Sequence, residues 1–160
     1  MKTVKFTFLV SAAVFILLQV LYYPQLPDMV AVHFNAQGQV NGWMSKGTNF
    51  LLSSIIIVVL TASFAGVPYI LKSISPDLIN IPKKEYWLSA DNKGRLIAIV
   101  STHLYSIGLA TNVFMIFLFN ELYRFNIHAV DKIAIVVIVP FLIFIFGMTI
   151  HLLMHLSKAL

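Results

Sequence analysis

Cysteine is absent from the 160 residues. That excludes a disulfide framework and a cysteine nucleophile. Charge is scarce as well, at 11% against about 25% in ordinary globular domains. With 59% hydrophobic residues, a soluble fold would have to hide nearly everything and leave little to face water. Two motif classes are also missing. No Gly-x-Ser-x-Gly elbow presents a nucleophilic serine, and no glycine loop of the phosphate-cradling kind occurs. The net charge of +5 does not read as nucleic-acid binding, because no window interleaves arginines with exposed aromatics. No nucleic-acid partner and no cofactor are expected.

What is present is a pattern of gaps. Asp, Glu, Lys and Arg are missing from the 22 residues between Lys5 and Asp28. They are missing again from 25 residues after each of Lys46, Arg95 and Lys132. An α-helix crosses the hydrocarbon core in about 20 mostly apolar residues. Four windows therefore predict four crossings, over residues 6–23, 50–71, 96–120 and 133–156 of a single membrane domain. The fold class expected is an all-α integral membrane protein in contact with the lipid bilayer. Pro68 lies near the end of the second helix, where a kink or early exit is expected, and Pro140 lies inside the fourth. The first apolar run reads as a retained anchor, since Ser11, Ala12 and Ala13 come too early for signal cleavage.

Lysine and arginine favour cytoplasmic connections. Eight of the eleven fall before the first helix, in the second connection or after the fourth helix, and only Lys46, Arg124 and Lys132 fall in the first and third. Both termini are therefore expected in the cytoplasm, with loop 24–48 external and loop 72–95 cytoplasmic. In the latter, Tyr86 and Trp87 among lysines predict a segment lying on the inner leaflet.

Two places carry candidate chemistry. The external loop is longer than a hairpin connection requires, and long loops in compact domains tend to be functional or disordered. This one has aromatics (Phe34, Trp43), paired prolines and turn glycines. An extended backbone puts His33 and Asn35 on one face with Phe34 opposite. Gly38 and Gly42 then supply turns that bring Trp43 and Lys46 back toward His33. The resulting binding set, His33, Asn35, Trp43 and Lys46, suits an extracytoplasmic peptide-like or anionic ligand better than a bare metal. A plainer reading stands beside it: Phe34 and Trp43 pin the loop to the membrane surface while His33 and Asn35 bond loop backbone. The second place is intramembrane. His103, His151 and His155 fall at similar depth in helices three and four, and His151 and His155 are i, i+4 neighbours. That spacing suits a metal or proton site, although no carboxylate accompanies them within either helix.

The loop residues Leu26-Pro27-Asp28, Val32-His33-Phe34-Asn35, Gly38, Asn41, Trp43 and Ser45-Lys46 resemble a bacterial membrane family of unknown function. Its domain also stands at the N-terminus of SdpI-type toxin-immunity proteins. Asn80-Ile81-Pro82 and Tyr86-Trp87-Leu88 are similar to a second segment of that family. Asn41 stands where many members have Asp, which removes a possible ligand charge. The resemblance covers about the first 90 residues and implies a multi-pass protein of the bacterial cytoplasmic (inner) membrane, non-enzymatic, with a sensing, signalling or immunity role. The alternative is a membrane-embedded enzyme or small transporter working through the histidines. Helix two offers a transport path little polar continuity, with only Ser53, Ser54, Thr61 and Ser63.

Overall fold

The computed structural model describes residues 2–35, 37–128 and 138–158. Four helices within them are long and apolar enough to cross a membrane. Helix α1 runs Lys2–Tyr22 and α2 runs Lys46–Ser73. A short α3, Lys84–Leu88, precedes α4, Lys93–His128, and α5 covers Ile138–Ser157. The first residues expected in the fourth helix, with Lys132 and the end of the third connection, lie outside the described residues.

Helix α4 is the axis of the bundle. It packs against α1, α2 and α5, and at 36 residues it is much the longest element. At about 1.5 Å per residue it spans roughly 54 Å, well beyond a 30 Å hydrocarbon core. The window 96–120 therefore captured only its middle. Glu121 and Arg124 read as loop charges, yet they are i, i+3 neighbours on a continuing helix, with Nη1 and Oε1 3.2 Å apart. Helix α2 continues through Pro68 to Ser73 without ending there.

Loop 24–48 departs from the all-α expectation. After a 3-10 turn at Tyr23–Gln25, strand β1 (Met29–Phe34) pairs antiparallel with β2 (Val40–Ser45). Leu26, Val30, Leu122 and Tyr123 are buried together beneath this hairpin, with Leu18, Tyr22, Val32, Phe34 and Phe119 packed on them. The hairpin thus sits on the ends of α1 and α4.

The opposite end of the bundle gathers the start of α1, the end of α2, α3 and the end of α5. Lys5 Nζ reaches the Tyr69 hydroxyl at 3.4 Å. Lys93 Nζ donates to the Lys72 carbonyl at 3.3 Å, which closes the second connection. Trp87 corrects the expectation of an interfacial Tyr-Trp pair. Its side chain is fully buried among Leu96, Leu156 and their neighbours, and its indole N–H donates to the Leu156 carbonyl at 2.9 Å. That carbonyl is among the last four of α5, which lack partners within their own helix.

Candidate functional site

The hairpin is built by the residues that made the loop recognisable. Asn35 is its turn former. Its side-chain oxygen accepts from the backbone N–H of Gln37 and Gln39 at 3.0 and 2.9 Å, and its amide nitrogen donates to Gln39 Oε1 at 3.0 Å. Backbone bonds Gly38 N–H to Asn35 C=O and Asn35 N–H to Gln39 C=O close the loop, both at 2.9 Å. Gly38 stands at φ +79°, in the left-handed region that costs a side chain about 1–2 kcal/mol. Gly42 is needed for closeness: a Cβ there would meet the His33 Cβ at 2.8 Å. Ser45 caps α2 by accepting from Thr48 N–H at 3.1 Å. Lys46 pairs with Asp28 at 3.1 Å and donates to the Leu26 carbonyl at 3.3 Å, which fastens the base.

The four predicted binding residues are therefore not gathered into one pocket. Asn35 spends its amide on the turn and Lys46 lies at the base against Asp28, away from the tip. Two residues remain outward. Trp43 is 57% exposed, opposite Ala31 in the ladder. His33 is exposed, and its Nδ1 meets Asn41 Oδ1 at 2.5 Å. A carbonyl oxygen only accepts, so His33 donates from Nδ1 and presents the Nε2 lone pair outward. Asn41 thus orients the imidazole across the strands.

The back of the hairpin is held by residues that sequence reasoning missed. Asn126 of α4 accepts from Ala31 N–H at 2.7 Å and donates to Ala31 C=O at 3.1 Å. One side-chain amide satisfies the outward groups of β1 as a third strand would. Phe34 packs edge-on against Phe125 with centroids 4.9 Å apart. Below lies a buried polar layer. Ser53 Oγ donates to Gln19 Oε1, and Tyr123 OH bridges Gln19 Oε1 and Asn49 Oδ1 at 3.3 Å each. Tyr22 OH donates to Asn120 Oδ1 at 2.9 Å. The signal in the sequence was the amide type itself. An amide in an apolar window is expensive unless bonded, so Gln19 and Asn112 called for partners. Asn112 finds the Phe8 carbonyl at 3.2 Å and Ser11 Oγ at 3.0 Å.

Of the three intramembrane histidines, two meet. His103 Nε2 lies 3.0 Å from His151 Nδ1, with the ring planes 20° apart and centroids 5.2 Å apart. His155 stands 6.2 Å from the His151 ring, centroid to centroid. Among the described residues, no three His, Cys, Asp or Glu side chains are grouped to hold a metal.

Residues 9–58 fit the family model described as a domain of unknown function, DUF1648. That stretch takes in most of α1, the hairpin and the first turns of α2, so the match coincides with the helix–hairpin–helix unit. No curated protein and no solved structure matches the chain.

Proposed function

We propose that this chain is a non-enzymatic, multi-pass protein of a bacterial cytoplasmic membrane that recognises a ligand outside the cell through its β-hairpin. The recognising surface is His33, oriented by Asn41, together with Trp43. Asn35 and Lys46 shape that surface rather than touch the ligand. The observation that carries the reading is Trp43, 57% exposed on a hairpin fixed behind by Asn126 and below by the Asp28–Lys46 pair. A large aromatic side chain carried in the open on a braced backbone binds at lower entropic cost than one on a mobile loop. On the same hairpin, the exposed His33 imidazole, tied at Nδ1 to Asn41, has an Nε2 that accepts from a peptide N–H when neutral and donates to an anion when protonated. A peptide-like or anionic ligand fits both. Toxin immunity or signalling are the roles that the resemblance to SdpI-type proteins implies for such recognition.

The reading requires the hairpin outside and the ends of α1 and α5 inside, as the eight-to-three basic asymmetry favours. Reporter fusions after Lys46 and Arg95 are expected to report the outside and the cytoplasm respectively, and the reverse pattern overturns the orientation. For the site, a photo-crosslinking aromatic amino acid placed at position 43 in living cells is expected to yield an adduct with a non-lipid molecule. His33→Ala should abolish that adduct without lowering expression. Adducts with lipid alone would make Trp43 a membrane anchor and end the recognition reading.

A further inference from the structure

The meeting of His103 and His151 fixes where the protons of both rings must lie. His103 Nδ1 is 2.9 Å from the Ile99 carbonyl, which can only accept, so His103 carries a proton on Nδ1. In the neutral ring, Nε2 is then a lone pair. His151 Nδ1, 3.0 Å away, must supply the proton for that contact. The neutral pair thus has two N–H groups, two hydrogen bonds and one unused lone pair, on His151 Nε2. His103 is buried, at 8% exposure, while His151 lies on the exposed face of α5. His103 stands ten residues into α4, roughly 15 Å along it at 1.5 Å per residue.

We propose that His103 and His151 together form a binding site for a single proton, clasping α5 to α4 within the membrane-spanning part of the chain. A proton taken up at His151 Nε2, the one unused lone pair, makes that ring an imidazolium. Its Nδ1–H still donates to His103 Nε2, now as a charge-assisted and stronger bond. A second proton would have to enter at His103 Nε2. It would set two N–H groups against each other at the same contact and place a second positive charge in the adjoining ring. Among the described residues no carboxylate lies within ion-pair distance of either ring to offset that charge. The capacity is therefore one.

The other titratable or charged groups near these elements are mostly basic or phenolic; the carboxylates among them, Glu85 of α3 and Asp91 just before α4, are both exposed and form no ion pair with either ring. His155 follows on α5, and Lys158 lies just past its end. Arg95 of α4 is held over the Trp87 ring, with Tyr86 against Trp87 in α3. Lys5 of α1 and Lys72 of α2 are drawn to the rings of Tyr69 and Tyr105. None of them supplies a negative partner. The hydrogen-bond chain also ends at the Ile99 carbonyl, which cannot pass a proton on. The pair stores a proton and does not relay one, which counts against a proton path through these residues. A metal site is likewise disfavoured, because His155 does not complete a three-ligand group.

The test uses the full chain with nitrogen-15 histidine in phospholipid nanodiscs, followed by NMR across pH. The expected result is a nitrogen–nitrogen correlation between His103 Nε2 and His151 Nδ1 in the neutral pair. It should persist while the pair takes up one proton, at His151 Nε2, and vanish only when a second enters. His155→Gln should leave all of this unchanged, whereas His103→Gln should remove the correlation. Two rings that titrate independently, with no correlation at any pH, overturn the proposal. Stoichiometric zinc binding that shifts both rings and displaces their protons also overturns it, in favour of a metal site. The wild-type measurement decides the matter even if His103→Gln does not fold.

Discussion

At the hairpin end of the bundle, α4 runs past its neighbours and offers Asn126 and Phe125 to two short strands. At the other end, α3 lays a single indole across the last turn of α5. The first closure is distributed: two bonds to Ala31, one aromatic contact, an ion pair at the base and a polar layer on Gln19, Asn49, Ser53 and Tyr123. The second is centred on Trp87, fully buried, with its one bond to Leu156, while the Lys5–Tyr69 and Lys93–Lys72 contacts lie at its edge and the His103–His151 contact farther along α5. A distributed closure holds a surface still while any one contact is dispensable. A closure centred on one buried side chain leans most heavily on that residue.

The contrast predicts its own largest effect. Trp87→Ala should cost about 3–5 kcal/mol, the range for emptying a buried tryptophan site, read from denaturant titration in mixed micelles. Trp87→Phe should recover most of the packing and lose only the bond, about 1 kcal/mol. A loss below about 1 kcal/mol for the alanine variant would mean that α5 is held by something other than this residue.

Asn126→Ala comes next. It removes both partners of the Ala31 peptide groups, and leaving such groups unpaired costs about 1–3 kcal/mol, towards the lower end here because the site is only half-buried. The sharper reading is local. Hydrogen exchange at Ala31 and its strand neighbours should rise while the helices α1 and α2 keep their protection. Global loosening would show that the amide supports the bundle and not the hairpin alone.

Gly42→Ala should follow at roughly 1–2 kcal/mol, since the new methyl group forces the strands apart at His33. The same variant tests the site, because moving His33 breaks its bond to Asn41. If the His33–Asn41 contact survives, seen by NMR of the ring nitrogens, then the breaks in strand register on either side of His33, between Ala31 and His33 and between His33 and Phe34, absorb the strain.

Four charge-free windows were enough to find the crossing helices, because bilayer thickness imposes one length on any helix that spans it. They were not enough to find where α4 stops. Beyond the hydrocarbon core nothing forbids a charged helix, and Glu121 and Arg124 fit a loop and a helix equally well until their i, i+3 pairing is seen. The hairpin was legible in part. Met29–Phe34 is rich in β-formers, and Asn35 with Gly38 is turn chemistry, yet the segment read as a loop because strands were not sought between membrane helices. The Asp28–Lys46 pair follows from the hairpin register and from no spacing in the sequence. Trp87 was misread for a physical reason. A tryptophan among lysines suits the membrane interface and suits a capped helix end, and only the position of α5 separates the two. The meeting of His103 with His151 was legible as a shared depth. That His155 lies apart from a three-ligand group depends on helix rotation, which depth alone does not specify.

The smallest energetic effect belongs to the residue with most at stake. Trp43→Ala removes an exposed side chain with one facing neighbour, Ala31, and should change stability by no more than about 0.5 kcal/mol. The same residue gives the comparison its cleanest optical probe, because the chain has two tryptophans and Trp87 is fully buried. In Trp87→Phe protein reconstituted in vesicles, all tryptophan emission comes from position 43. If the hairpin holds Trp43 in water, acrylamide should quench that emission strongly and brominated lipid should quench it little. Quenching the other way round would place Trp43 in the membrane surface, where aromatic belts gather. The hairpin would then be an anchor of the same kind as the rest of the bundle, and the contrast between its two ends would lie in construction alone.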